Sequence, residues 1–194
     1  MLEASIGAMA TDETLVQLAR DGDRSAQEEL FRRHWGGAYR VAFRLLGNDQ
    51  DAQDATQESL IKVLAHLGDF EGKSGFRTWL LRIVTNAAFD SGRRRKRRAT
   101  VSLGNSDGES SLQEPAVDDD PTLALRRQDL RKILDAALDK IPLKQRETFI
   151  LFAEAGLTYA EVAEVLDIPI GTVMSRISNA RVKLQSYLDG VEGL

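Results

Sequence analysis

The chain has no cysteine, which excludes disulfide staples, thiol catalysis and cysteine-based zinc sites. Its two histidines, His34 and His66, stand far apart without a partner at ligand spacing, so neither a metal nor a cofactor is expected. No apolar run approaches the roughly 20 residues of a membrane span, and Met1–Ala10 lacks the charged and apolar regions of a secretion signal. A cytoplasmic protein without membrane insertion is expected. A glycine-rich phosphate loop and a nucleophile–base pair are missing too. Enzyme activity is therefore not expected, and no catalytic residue is assigned.

What the chain does have is enough apolar sequence for packed cores: 42% of 194 residues, room for one large or two small domains. The net charge of −4 is unevenly placed. Residues 12–98 carry 16 Lys and Arg against 13 Asp and Glu, residues 99–125 carry six acids and no base, and residues 126–194 balance at ten each. Charges are screened beyond about 10 Å at 0.1 M salt, so overall acidity does not veto a nucleic-acid partner. It argues against tight, indiscriminate binding by the free chain.

Helical periodicity fills residues 12–98 and 123–188, and no strand-like alternation stands out. Between them, residues 99–122 contain Gly104, Asn105, Ser106, Asp107, Gly108, Pro115 and Asp118-Asp119-Asp120-Pro121. Such a stretch lacks the apolar surface to order itself and reads as a flexible acidic linker. The expectation is all-α: two small helical domains, with tails at 1–11 and 189–194. In the first, Thr11 or Asp12 caps one helix and Asp23 or Ser25 the next. Ala26, Leu30, Phe31, Trp35, Tyr39, Ala42, Phe43 and Leu46 form the buried side of that second helix, with Gly36-Gly37 as a potential kink. Asp49 opens a third helix. A loop at 68–75 leads to a fourth, from Phe76 into Arg93-Arg94-Arg95-Lys96-Arg97-Arg98.

Residues 156–188 read as two helices joined by a tight turn. Thr158 with Glu161 offers a capping box. Val162, Ala163, Val165 and Leu166 give the first helix an apolar face, and Pro169 suits the first turn of the second. Val173, Ile177, Ala180, Leu184 and Leu188 recur at three- and four-residue steps, leaving Met174, Ser175, Arg176, Ser178, Asn179, Arg181 and Lys183 outside. Short polar and cationic side chains on such a helix suit a DNA major groove. An ordinary helical hairpin whose polar face meets water has the same pattern.

Two further constellations carry chemistry. The six cations at 93–98 repel one another unless a polyanion or an acidic surface neutralises them; a solvated helix end is the plain alternative. The same helix carries Arg77, Arg82 and Asn86 near Trp79, groups able to grip unpaired bases, although a tryptophan is more often core. In Asp51-Ala52-Gln53-Asp54-Ala55-Thr56-Gln57-Glu58, the carboxylates at 51, 54 and 58 fall on one helix face. That face suits docking to a protein, or simply solvent.

Three segments, in this order and at these separations, carry a resemblance: Asp54-Ala55-Thr56-Gln57-Glu58; Phe76-Arg77-Thr78-Trp79-Leu80-Leu81-Arg82-Ile83-Val84-Thr85-Asn86; and Gly171-Thr172-Val173-Met174-Ser175-Arg176. The chain resembles the extracytoplasmic-function (ECF) sigma factors of bacterial RNA polymerase, over residues 12–98 and 126–188. The resemblance implies a sigma region 2 domain at 12–98 and a sigma region 4 domain, with its helix-turn-helix, at 123–188. Asp51, Asp54, Gln57 and Glu58 would bind core polymerase at the clamp helices of its largest subunit, with a second contact at the flap region. Phe70, Lys73, Arg77, Arg82, Asn86, Arg93, Arg94 and Arg95 would melt and hold the −10 promoter element. Thr172, Met174, Ser175, Arg176, Ser178, Asn179 and Arg181 would read the −35 element, and an anti-sigma factor would restrain the protein in a stress or envelope response. The chain departs from the family where Met174 and Asn179 replace common basic residues and where Glu71 stands in place of a frequent arginine. A conventional helix-turn-helix repressor or activator is the rival reading; it would bind palindromic half-sites as a dimer and leave residues 12–98 unexplained.

Overall fold

The computed structural model describes residues 10–101 and 132–190, with side chains over 10–95 and 132–190. Residues 102–122 of the acidic linker, the stretch 123–131 and both extreme tails lie outside the described residues. The rest is helical, and no strand occurs among the described residues.

The first unit holds four helices: α1 (Asp12–Arg20), α2 (Arg24–Leu46), α3 (Asp49–His66) and α4 (Phe76–Val101). Thr11 caps α1 by accepting from Thr14 N, and Asp23 caps α2 by accepting from Ser25 N and Ala26 N. Gly47 ends α2 in the left-handed region at φ 74°, a conformation glycine adopts without steric cost. The cap of α3 differs from expectation. Asp49 is spent accepting from the Tyr39 hydroxyl and from Gln53 Nε2, so Asn48 takes the role, its Oδ1 accepting from Asp51 N at 2.8 Å. Burial, with help from the Asp49 carboxylate, pushes the Tyr39 phenol up to about 12.

The core of this unit is Leu15, Val16, Ala19, Leu30, Ala38, Val41, Ala42, Phe43, Leu46, Leu60, Val63, Leu80, Leu81 and Val84 with their neighbours. On α3 the buried stripe is made of small residues, Ala52, Ala55, Thr56 and Ser59. Thr56 Oγ1 and Ser59 Oγ donate to the Ala52 and Ala55 carbonyls one turn back, so both hydroxyls enter the core satisfied. On α2 the expected positions Ala26, Leu30, Ala42, Phe43 and Leu46 are buried. In the middle of the helix Ala38 and Val41 are buried as well, whereas Phe31 and Tyr39 are only half-buried and Trp35 is exposed. α2 runs unbroken through Gly36-Gly37, and α4 continues past the basic run through Val101.

A polar clasp fastens α1 to α2. Asp12 Oδ2 lies 2.6 Å from His34 Nε2, Asp12 Oδ1 accepts from Arg33 Nη1 at 3.2 Å, and Arg33 Nε donates to Glu29 Oε1 at 2.7 Å. Arg32 also donates to Glu29. Hydrogen bonds from Arg32 and then Arg33 lower the Glu29 carboxyl from 4.5 to about 2.

The second unit holds α5 (residues 132–139 as described), α6 (Leu143–Ala153), α7 (Tyr159–Leu166) and α8 (Ile170–Leu188). Ala137, Leu138 and Ile141 pack on Ala180 and Leu184. Ile150, Leu151, Leu157, Val162, Val165, Val173 and Ile177 are buried as well, while Ala163, Leu166 and Leu188 are half-buried. The capping box is formed: Glu161 N donates to Thr158 Oγ1, and Thr158 N donates to Glu161 Oε2 at 2.8 Å. Asp167 stops α7 in the left-handed region at φ 52°, with Ile168 N donating to the Ala163 carbonyl. Pro169 sits at the N-cap of α8, one position before the first turn. It leaves its carbonyl to accept from Thr172 N and Val173 N.

Two measurements check this account. Thr158→Ala removes half of the capping box and costs about 1 kcal/mol, so the α7 amides should exchange with solvent roughly five-fold faster. Because the Glu29 pKa is depressed on folding, its stabilisation is full above pH 4.5 and lost as pH falls towards about 2. The gap in urea midpoint between wild type and Glu29→Gln should be largest near neutrality and close across that window.

Candidate nucleic-acid and polymerase interfaces

The acidic face of α3 divides in two. Asp54 and Gln57 are exposed and carry no side-chain partner among the described residues. Asp51 and Glu58 are half-buried and occupied. Asp51 Oδ2 accepts from Asn48 Nδ2 at 2.6 Å and from Arg95 Nη1 at 3.3 Å, whereas Glu58 pairs with Lys62 at 2.8 Å and with Arg94 at 3.9 Å. Beyond Gln57 the same face becomes apolar: Ile61 is 61% exposed and Leu64 39%. Sequence reasoning passed over both residues. The signal was available, because residues 57, 61 and 64 fall outside the small-residue stripe at 52, 55, 56 and 59.

The partners of that face are the basic run itself. α3 and α4 pack closely along their lengths, which carries Arg94 and Arg95 to Glu58 and Asp51. Arg93 pairs instead with Asp90 on its own helix at 2.6 Å, and that hydrogen bond lowers the Asp90 carboxyl. The acidic surface that the cations require is thus partly the chain's own. These pairs are exposed and individually weak, roughly 0–1 kcal/mol each, so a polyanion can displace them.

Arg82 and Asn86 stand one turn apart on α4, both exposed. Arg77 is exposed at the other end of the helix, roughly half a turn round from them. Lys73 pairs with Glu71 in the loop. Phe70, expected at the −10 element, lies largely buried. It is 9% exposed, its ring 4.9 Å from Trp79 and edge-on to Phe76 at 6.2 Å. The short loop has few other apolar groups with which to close the core, and Phe70 fills that place. Trp79 is half-buried against it. The aromatic group therefore anchors the loop to the start of α4, with the His34 ring tilted against Phe76 at 5.2 Å.

α8 presents a nearly complete polar semicircle. Ser175, Ser178 and Val182 form its middle, with Met174 and Arg181 on one flank and half-buried Thr172 and Arg176 on the other. Asn179 is exposed beside Ser175 and Ser178. Ser175 Oγ donates to the Thr172 carbonyl at 3.0 Å. Met174 and Val182 are 48% and 67% exposed, apolar groups suited to a thymine methyl. Sequence reasoning missed Val182, and it missed Phe152 of α6. The Arg181 guanidinium lies 5.2 Å above the Phe152 ring, which stacks on Tyr159 at 5.0 Å.

No helix among the described residues is long and apolar enough to cross a membrane, and no cluster of possible metal ligands occurs among them.

Known proteins share this arrangement. The family model Sigma-70 region 2 matches residues 30–98, and the model Sigma-70, region 4 matches residues 131–184. ECF RNA polymerase sigma factor SigE of Mycolicibacterium smegmatis is 38% identical over 170 residues, spanning 86% of this chain and 64% of that protein. ECF RNA polymerase sigma factor EcfG of Rhodopseudomonas palustris is 35% identical over 78% of this chain and 80% of its own length. RNA polymerase sigma-H factor of Pseudomonas aeruginosa is 32% identical over 91% and 93%. Among solved structures, CnrH in complex with the cytosolic domain of CnrY aligns at a TM-score of 0.69, with 26% identity over 92% of this chain and 97% of that one. Sigma factor RpoE in complex with the anti-sigma factor NepR from Bartonella quintana aligns at 0.68, with 29% identity over 84% and 96%.

Truncating Phe70 to alanine should cost about 3 kcal/mol as a core cavity and shift tryptophan emission to the red as Trp79 meets water. An unshifted spectrum with unchanged stability would contradict the burial described above.

Proposed function

This chain belongs to the ECF branch of the sigma-70 family, and from that premise we propose how its surfaces join core RNA polymerase and direct initiation at chosen promoters. The observation that carries the proposal is the pairing, on one chain, of an exposed Arg82/Asn86 step on α4 with an exposed polar face on α8. One suits unpaired bases and the other a duplex groove. A repressor with a helix-turn-helix alone has no use for the first unit.

In this reading Asp54 and Gln57, extended by Ile61 and Leu64, form the polymerase-facing patch: an open carboxylate and amide for specificity, and apolar area for affinity. Asp51 and Glu58 act at its edge, where docking competes with Arg94 and Arg95. Opening promoter DNA costs roughly 1.4 kcal/mol per stacking step. Holding an extruded base near Asn86 and the strand phosphates near Arg82 and the basic end of α4 offsets part of that cost. On α8, Asn179 pairs with adenine and Met174 covers a thymine methyl, while Arg181 supplies a cation for guanine or phosphate. Each contact is modest alone. Once both units ride on the polymerase, the second contact becomes intramolecular and selectivity follows. The protein acts as an initiation subunit without catalysing a reaction, and it pairs with an anti-sigma factor, the kind of partner bound to RpoE in the aligned Bartonella quintana complex.

In vitro transcription with core polymerase and a random promoter library tests the assignment. Wild type should yield discrete start sites, and Asp54→Lys should reduce all transcripts at least ten-fold. Asn179→Arg should keep the −10 preference while moving the −35 preference towards guanine. Unaltered promoter choice by Asn179→Arg would refute the role given to α8.

A further inference from the structure

Phe152 stands in the last turn of α6, and the core of its unit does not account for it. The residues that α6 buries are Glu147, Thr148, Ile150 and Leu151, whereas Phe152 is half-buried. A half-exposed phenylalanine by itself needs no explanation; its neighbours here supply one. The Arg181 guanidinium carbon lies over the ring, 5.2 Å from its centroid, and the Tyr159 ring lies 5.0 Å away at 31°. Tyr159 is itself fixed as the first residue of α7, directly after Thr158, whose amide and hydroxyl are both engaged with Glu161.

Arg181 belongs to the exposed face of α8 that is proposed above to meet duplex DNA. Neither a hydrogen bond nor an ion pair to a described residue holds its guanidinium. The ring does. The negative face of an aromatic ring attracts a cation, and that attraction asks for nearness of charge to ring rather than a hydrogen bond. The guanidinium therefore keeps N–H donors for another partner. Arginine also has much rotamer freedom, which it loses on gripping a base edge or a phosphate. Where the side chain is already confined against a ring, part of that loss is incurred on folding, and the later contact tightens. An aliphatic residue at 152 would fill the same space without offering a charged face.

We propose that Phe152 is a positioning residue for promoter recognition. It acts through Arg181, holding the guanidinium in the orientation that meets the −35 duplex, and Tyr159 holds Phe152 in turn. This rests on the reading of α8 given above, and it extends specificity to α6 and α7, whose residues that reading leaves out.

The test uses the full-length chain, first alone and then as holoenzyme with core polymerase. In the free chain, the Phe152 ring current should displace the Arg181 Hδ protons upfield of those of Arg176 in the NMR spectrum. Phe152→Leu should remove most of that displacement, and Phe152→Tyr, which keeps the ring, should preserve it. In transcription from the random promoter library, Arg181→Ala marks the contact that Arg181 makes: a preference lost at one position for a base edge, or a uniform fall for a phosphate. Phe152→Leu should reproduce that same change at about three-fold. Phe152→Tyr should match wild type, and Phe152→Leu added to Arg181→Ala should change nothing further. The proposal is overturned if the wild-type Arg181 protons are not displaced, an outcome that decides the matter even should Phe152→Leu fail to fold. It is overturned too if Phe152→Tyr impairs transcription as much as Phe152→Leu, or if Phe152→Leu and Arg181→Ala act additively, since a ring that only supports the fold would behave so. Where Arg181→Ala changes promoter choice and Phe152→Leu does not, the positioning role alone falls. Where Arg181→Ala changes nothing, the reading of Arg181 falls with it.

Discussion

The close approach of α3 to α4 is the constraint on which the first unit depends. The buried stripe of α3 holds Ala52, Ala55, Thr56 and Ser59, side chains small enough to let helix backbones near one another. That approach fixes the register of the pair, and the register decides which charges meet. Asp51 comes to Arg95 and Glu58 to Arg94. An acidic face and a basic face, which on separate proteins would attract strangers, here hold one another in check. The pairs are weak because they are exposed, and the arrangement needs them weak. A partner that offers better geometry to either face takes it and frees the other.

Much of this was legible in the chain itself. The capping box at Thr158 and Glu161, the core stripe of α8 from Val173 to Leu184, the caps at Thr11 and Asp23, and the outward polar face at 174–181 all follow from local rules of helix chemistry, and local rules are what a sequence displays. The errors came where two elements negotiate. Trp35 was expected inside from its place in the apolar pattern, but it is exposed, while Ala38 and Val41 are buried. Asp49 was expected to cap α3, but Tyr39 from another helix claims its carboxylate.

The fate of the basic run makes the same point for the functional surfaces. Six consecutive cations announce a need for negative charge, and nothing in the run says where that charge resides. Only the three-dimensional register shows that α3 supplies part of it. Likewise Ile61 and Leu64 look like ordinary core residues until the buried stripe of α3 is known. Then they become apolar area beside Asp54 and Gln57, and the character of that face changes from acidic to mixed.

Arg181 stands on α8, but its guanidinium is steadied by Phe152 on α6, and Phe152 by Tyr159 at the start of α7. The exposed face of α8 is therefore not a single helix presented by a passive frame. Three helices share the aim of one cation, and a ring that never enters a groove sets where that cation points. A substitution at half-buried Phe152 would thus re-aim the Arg181 guanidinium while leaving the exposed side chains of α8 as they were.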